Sequence, residues 1–311
     1  MLRFTEDNLQ ADKLGQTQMV HSDPNFKELI DNWTDFKTDF ACFLGAGASI
    51  GAKNMTGQLL PSAYDLRNLL WTRFKQYHGE DPFDPASLKL MSLEHAGAII
   101  EAKVGRNLLS KYLQEVFTCE KPLWQHCALS HMAPNTIFTT NYDDLIELGY
   151  AHSKRHVDVI CDGRAPVTGR MSLYKPHGSL SHANQAIGKG GLVLTQFDYM
   201  SMIADYRKML SYSLDRISNS CVIIIGYSFG DMDICAELYQ MRKKSDTVPW
   251  YAVFPRNDPQ VRMMYAQKFN IRQIDATFES FVAALDAHIN FLPTNLKYEN
   301  REKLRMDGSI Q

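Results

Sequence analysis

Short apolar runs that stop at glycines or small polar clusters recur along this chain, and between them apolar residues return every three or four positions. The first run, Phe40 to Leu44, breaks into Gly45-Ala-Gly-Ala-Ser49 and reads as a buried strand entering a tight turn. Further strand segments are expected at Thr136–Thr140, Val157–Cys161, Leu173–Lys175, Leu192–Thr195, Cys221–Ile225, Trp250–Phe254 and Ile271–Asp275. Helical spacing marks Phe26–Trp33, the stretch through Tyr150, Tyr199–Ile217, Asp231–Lys243 and Phe278–Ile289. Strands alternating with helices predict a mainly parallel sheet covered on both faces, an α/β fold.

The stretch from Pro61 to Pro134 departs from that rhythm. Tyr64, Leu66, Leu69, Leu70 and Phe74 repeat at helical spacing, as do Leu93, Ala96, Ile99 and Ile100, then Leu108, Leu109, Tyr112, Leu113 and Val116; Asp81-Pro-Phe-Asp-Pro85 interrupts them. This is too long for one crossover helix, so a helical insertion over about 61–134 is expected after the first strand of a Rossmann-like sheet. The expected organisation is an N-terminal helical segment (1–36), the sheet domain (37–294) with its insertion, and a polar tail or linker (295–311).

Composition narrows the function classes. The 311 residues carry 45% hydrophobic and 22% charged side chains with a net charge of −2, which provides no basic field for nucleic acid or an anionic membrane. The longest purely aliphatic run is Val222 to Ile225, and the first residues lack a signal-peptide core, so a cytoplasmic protein is expected, with no membrane and no direct nucleic-acid partner. Six cysteines without a C-x-x-C pair give no sign of a zinc site or a disulfide framework.

Four polar clusters fall at predicted strand ends: Gly45-Ala46-Gly47-Ala48-Ser49, Thr139-Thr140-Asn141-Tyr142-Asp143, Lys175-Pro176-His177-Gly178-Ser179 and Gly226-Tyr227-Ser228-Phe229-Gly230-Asp231. Each alone has a plain structural account, Asn141 and Asp231 as helix caps, His177 as a turn histidine, the glycines as turns. Together they mark one crevice at the carboxyl ends of parallel strands, where ligands bind such sheets. The first loop suits a phosphate, with glycines that admit a close backbone approach and hydroxyls at Ser49 and Thr56.

In this order the four clusters resemble the motifs of the sirtuin superfamily, specifically the zinc-less, sirtuin-like NAD-cleaving effectors of bacterial anti-phage defence, of the Thoeris kind. Leu192-Val-Leu-Thr-Gln-Phe-Asp-Tyr199 also looks like that branch, and the likeness spans roughly Phe40 to Phe281. Protein-deacylating sirtuins carry a zinc module with two cysteine pairs, which this sequence lacks; no zinc is expected, and deacylation is disfavoured. The resemblance implies an NAD hydrolase that releases nicotinamide and ADP-ribose, depleting NAD in abortive infection, with NAD as substrate. It assigns catalysis to Asn141, which would hold the ribose and position water, and to His177 as base. Asp143 would hold the nicotinamide carboxamide, Gly45, Ala46, Gly47 and Ser49 the pyrophosphate, and Gly226 with Ser228 the phosphate or adenosine ribose. It further implies a homo-oligomer and an activating partner protein or fused sensor domain.

Other readings are weighed against this one. A dehydrogenase fits poorly, because Ile50 replaces the third glycine of G-x-G-x-x-G. Gly226-Tyr-Ser-Phe-Gly230 matches a nucleophile elbow and would make Ser228 a serine nucleophile with Asp275 and His288, but His288 falls in a helical apolar pattern. A non-catalytic NAD or ADP-ribose sensor would use the same pocket.

Overall fold

The computed structural model describes residues 19–37, 39–77, 90–201, 214, 217, 219–244, 247–255 and 258–306. Seven parallel strands form one sheet: β1 (Phe40–Leu44), β2 (Thr136–Thr139), β3 (Val157–Ile160), β4 (Met171–Tyr174), β5 (Cys221–Ile225), β6 (Trp250–Val253) and β7 (Ile271–Ile274), in the spatial order β3-β4-β2-β1-β5-β6-β7. The fold is Rossmann-like α/β. From β1 the chain moves outward through β2 and β4 with β3 at the edge, then returns to lay β5 on the other side of β1. The direction of winding therefore reverses between β1 and β5, and a crevice opens above their carboxyl ends.

Why these runs are strands is visible in how they divide their side chains. Phe40, Cys42 and Leu44 enter one apolar cluster, Ala41 and Phe43 another; in β5, Cys221, Ile223 and Ile225 join the first and Val222 and Ile224 the second. Side chains alternate across a strand, so both faces must be apolar where both are covered. The first face lies under helices α1 (Pro24–Asp31), α6 (Trp124–Met132) and α11 (Phe278–Ile289), through Phe26, Leu29, Ala128, Leu129, Phe281 and Leu285. The second lies under α9 (Met232–Lys244) through Ile234, Leu238 and Met241.

A third cluster joins helices α3 (Ala63–Arg73), α4 (Leu93–Val104) and α5 (Arg106–Phe117) to Leu180, Ala183, Leu192 and Leu194. This helical subdomain follows β1, as the spacing predicts. Its core closes at Phe117, whereas the helix Trp124–Met132 packs on the sheet. The Asp81–Pro85 interruption and residues 1–18 of the N-terminal segment lie outside the described residues, as does most of the expected helix Tyr199–Ile217. Of that region a helix, α8, spans Gln196–Ser201.

Two expectations are corrected. Leu192–Thr195 is not a strand. It is extended and buried, but its backbone is held from outside the sheet: Val193 N–H donates to His177 O at 2.9 Å, Arg106 and Tyr142 donate to the carbonyls of Leu192 and Val193, and Leu194 and Thr195 N–H donate to Asp198 at 2.9 and 2.8 Å. The tail expected from Asn295 begins instead with helix α12 (Thr294–Met306). Leu296 is buried there, and its carbonyl accepts from Trp124 Nε1 at 2.9 Å.

Candidate functional site

The two glycine loops meet over the β1/β5 crevice. Gly45 N–H donates to Ile225 O at 2.9 Å and Gly47 N–H to Gly226 O at 2.8 Å, extending the strand ladder one turn past the sheet. A Cβ on Gly47 would stand 2.7 Å from Gly226 Cα, and one on Gly226, whose φ is +62°, 2.4 Å from Ala48 N. These glycines are needed because two backbones touch. Ala48 N–H donates to Gly45 O, so Ala46, exposed at the head of a one-turn 3-10 helix (Ala46–Ser49), carries the loop amide outside these bonds.

Asn141 follows β2 and leans onto that loop. Its Nδ2 lies 3.1 Å from Gly45 O and 3.0 Å from Ser49 Oγ. A backbone carbonyl can only accept, so the amide nitrogen is the atom that faces it, and Oδ1 is left as the acceptor of the side chain. Ser49 Oγ in turn donates to Asp143 Oδ2 at 2.8 Å, and Asp143 Oδ1 accepts from Leu145 N–H at 3.2 Å. Asp143 is buried, and burial pushes its carboxyl above the ordinary carboxylate range against the opposing pull of Lys175 and of the Ser49 bond.

Lys175, at the end of β4, is a residue whose role sequence reading did not foresee. Its Nζ donates to Asp143 O at 2.6 Å and Glu147 Oε1 at 2.9 Å, with Tyr142 O at 3.4 Å. The loop after β2 is thereby tied to the loop after β4, which carries His177. His177 is buried with its Nε2 3.1 Å from Asp231 Oδ2, an approach off hydrogen-bond alignment, and its ring meets Tyr199 edge to face at 5.4 Å. Asp231, read from sequence as the end of the Gly226–Asp231 cluster with a helix cap as its plain account, sits after β5. All four predicted clusters thus gather at one end of the sheet, and Asn141, Ser49 and Asp143 form one hydrogen-bonded chain.

Ser228 is exposed on the β5 loop, and Gly226 presents its carbonyl to Gly47. The elbow partners do not support a triad: His288 lies on α11 with its Nε2 3.1 Å from His21 Nδ1, and packs against Phe26. Among the described residues, no group of three or more His, Cys, Asp or Glu side chains is arranged to hold a metal. Five of the cysteines are buried and Cys235 is half-buried.

Comparison with known proteins gives this architecture relatives. Residues 135–274 match the family model of a SIR2-like domain. The NAD(+) hydrolase ThsA of Acinetobacter baumannii (strain 532279) is 28% identical over 237 residues, 72% of this chain and 42% of that protein. Defense-associated sirtuin 2 of Bacillus subtilis is 26% identical over 215 residues, 66% of this chain and 21% of that protein. The matched region therefore spans less than half the length of either relative.

Proposed function

We propose that this chain hydrolyses NAD at the nicotinamide–ribose bond, giving nicotinamide and ADP-ribose, a reading supported by the match of residues 135–274 to a SIR2-like domain. The observation that carries this is the Asn141–Ser49–Asp143 chain at the switch-point end of the sheet, with the His177 loop following β4, the strand beside the one that leads into Asn141.

The chemistry asks for little acid. Breaking the bond passes through an oxocarbenium-like centre, and the pyridinium leaves without needing a proton. What must be supplied is a held ribose and a positioned water. Asn141, its two N–H groups engaged by Gly45 O and Ser49 Oγ, offers Oδ1 to a ribose hydroxyl or to the attacking water. His177 takes the proton, as an imidazole does near neutral pH. Asp143 holds the carboxamide of nicotinamide. Ala46 N–H faces the pyrophosphate, with Gly45 and Gly47 shaping the loop that presents it and Ser49 bracing that loop through its bonds to Asn141 and Asp143, and Gly226 and Ser228 flank the adenosine side.

The same reading makes the protein a cytoplasmic anti-phage effector that depletes NAD during abortive infection, working as a homo-oligomer under an activating partner or fused sensor. ThsA is named for NAD hydrolysis and the Bacillus relative for defence, which supports it. The deciding assay is nicotinamide release from NAD, followed by chromatography without any acyl-peptide. Wild type is expected to release nicotinamide, with Asn141→Ala and His177→Ala slower by about a hundredfold or more. Release that neither substitution slows would overturn the assignment.

A further inference from the structure

Asp231 is built to do two things at once. Its Oδ1 accepts from Ile234 N–H at 3.3 Å and its carbonyl from Cys235 N–H at 2.9 Å, which fixes it at the start of α9. Oδ2 is then delivered to His177 Nε2 at 3.1 Å. The ring packs edge to face against Tyr199, and the His177 backbone is anchored by Val193 N–H, which donates to its carbonyl at 2.9 Å. Both side chains are largely removed from water, at 7% and 16% exposure, so the carboxylate acts on the ring through little screening solvent.

Resting on the hydrolase reading, we propose that Asp231 is the positioning residue of His177, orienting the imidazole and steadying the charge it acquires during turnover. A helix cap needs only an acceptor, and Ser or Asn serves there as well as Asp. The carboxylate goes beyond that requirement, and it stands beside the assigned base. In the step itself, water oxygen bonds to the ribose C1′ as the C1′–nitrogen bond breaks, and its electron pair leaves with neutral nicotinamide. The water proton passes to His177 and then to solvent, while Asp231 stays ionised throughout, as the carboxylate of a histidine–aspartate pair does. Approaches of this kind are often misaligned before substrate binds and tighten with it.

The test uses Asp231→Asn and Asp231→Ser, which keep the cap and remove the charge. Three quantities are read on the full chain: kcat and KM for nicotinamide release, NAD affinity by calorimetry, and the His177 ring resonances in long-range proton–nitrogen spectra, assigned with His177→Gln. The expected result is kcat lower by roughly tenfold to a hundredfold, short of the ~10²–10⁴ that a whole general base supplies. NAD affinity stays within twofold, and the His177 ring nitrogens shift. A kcat within twofold of wild type, or ring resonances that do not move, would overturn the proposal. Should wild type release no nicotinamide, the hydrolase reading falls, and the ring spectra still decide whether Asp231 orients His177.

Discussion

The ammonium of Lys175, a side chain with no exposed surface, lies 2.6 Å from the backbone carbonyl of Asp143. A buried lysine is costly unless its donors are met, and here the carbonyls of Asp143 and Tyr142 and the carboxylate of Glu147 meet them. One cation thus sets the spacing between the loop that carries Asn141 and the loop that carries His177.

Lys175→Met should therefore destabilise the fold and also slow the proposed nicotinamide release. Removing one partner of a buried pair leaves Glu147 and two carbonyls without their donor, a loss of about 3 kcal/mol, somewhat moderated because Glu147 keeps a solvent-facing edge. Urea unfolding checks the stability. A midpoint unchanged within error would show that the two loops are held by other means.

The glycine contact predicts an order of severity. Gly226→Ala adds a Cβ 2.4 Å from Ala48 N and also forces alanine to φ +62°, whereas Gly47→Ala adds only the close contact at 2.7 Å. The left-handed conformation alone costs a non-glycine residue roughly 1–2 kcal/mol. Both variants should lose NAD affinity in calorimetry, and Gly226→Ala should have the lower thermal midpoint. The reverse order would mean that the β1 loop, rather than the β5 loop, is the rigid partner.

How much of this was legible in sequence follows from which forces are local. β1 and β5 could be read because both faces of a central parallel strand are buried, which writes an unbroken apolar run. The same rule misleads at Leu192–Thr195, where Leu192 and Leu194 are buried by the helical subdomain and the hydrogen bonds are made with Arg106, Tyr142, His177 and Asp198. Helix α12 was missed because it is mostly polar, with Leu296 the buried apolar residue among its described side chains. The loops holding Asn141 and His177 could be placed from their strands, but the pairing of His177 with Asp231 joins residues that only the sheet order brings together.

Asp144 yields a prediction about pH. Burial, with the neighbouring Glu147 adding to it, pushes its carboxyl up to about 6. The folded protein then holds this proton more tightly than the unfolded chain does, so the contribution is most favourable below the unfolded value near 4 and declines as pH rises through 6. Asp144→Asn removes the charge at the start of helix α7 (Leu145–His152), where the side chain makes no capping bond. Partial exposure reduces the effect, so the variant should gain about 1 kcal/mol at pH 7 and flatten the stability profile between pH 4 and 6. Denaturant titrations across that range check it; an unchanged slope would show that Asp144 is already ionised at pH 5.

The segment Leu192–Thr195 is where the helical subdomain reaches His177. Arg106, on α5, donates to Leu192 O and to Asp198 Oδ2 at 2.8 Å, and that same oxygen accepts from Leu194 and Thr195 N–H. One residue between them, Val193, donates to His177 O. Arg106→Met leaves the Asp198 carboxylate without its cation and removes three charge-assisted bonds, the long one to Glu101 the weakest, worth about 1.5–3 kcal/mol each at most. Since every 1.4 kcal/mol is tenfold in an opening equilibrium, amide exchange at Val193 and Leu194 should quicken by roughly tenfold or more, ahead of any change at β1 or β5. Nicotinamide release should slow through kcat, because the backbone of His177 loses its brace while the glycine loops stay in place. Exchange that quickens uniformly over the sheet would instead mean that Arg106 supports the whole fold, and unchanged exchange at Val193 would mean that the segment holds without it.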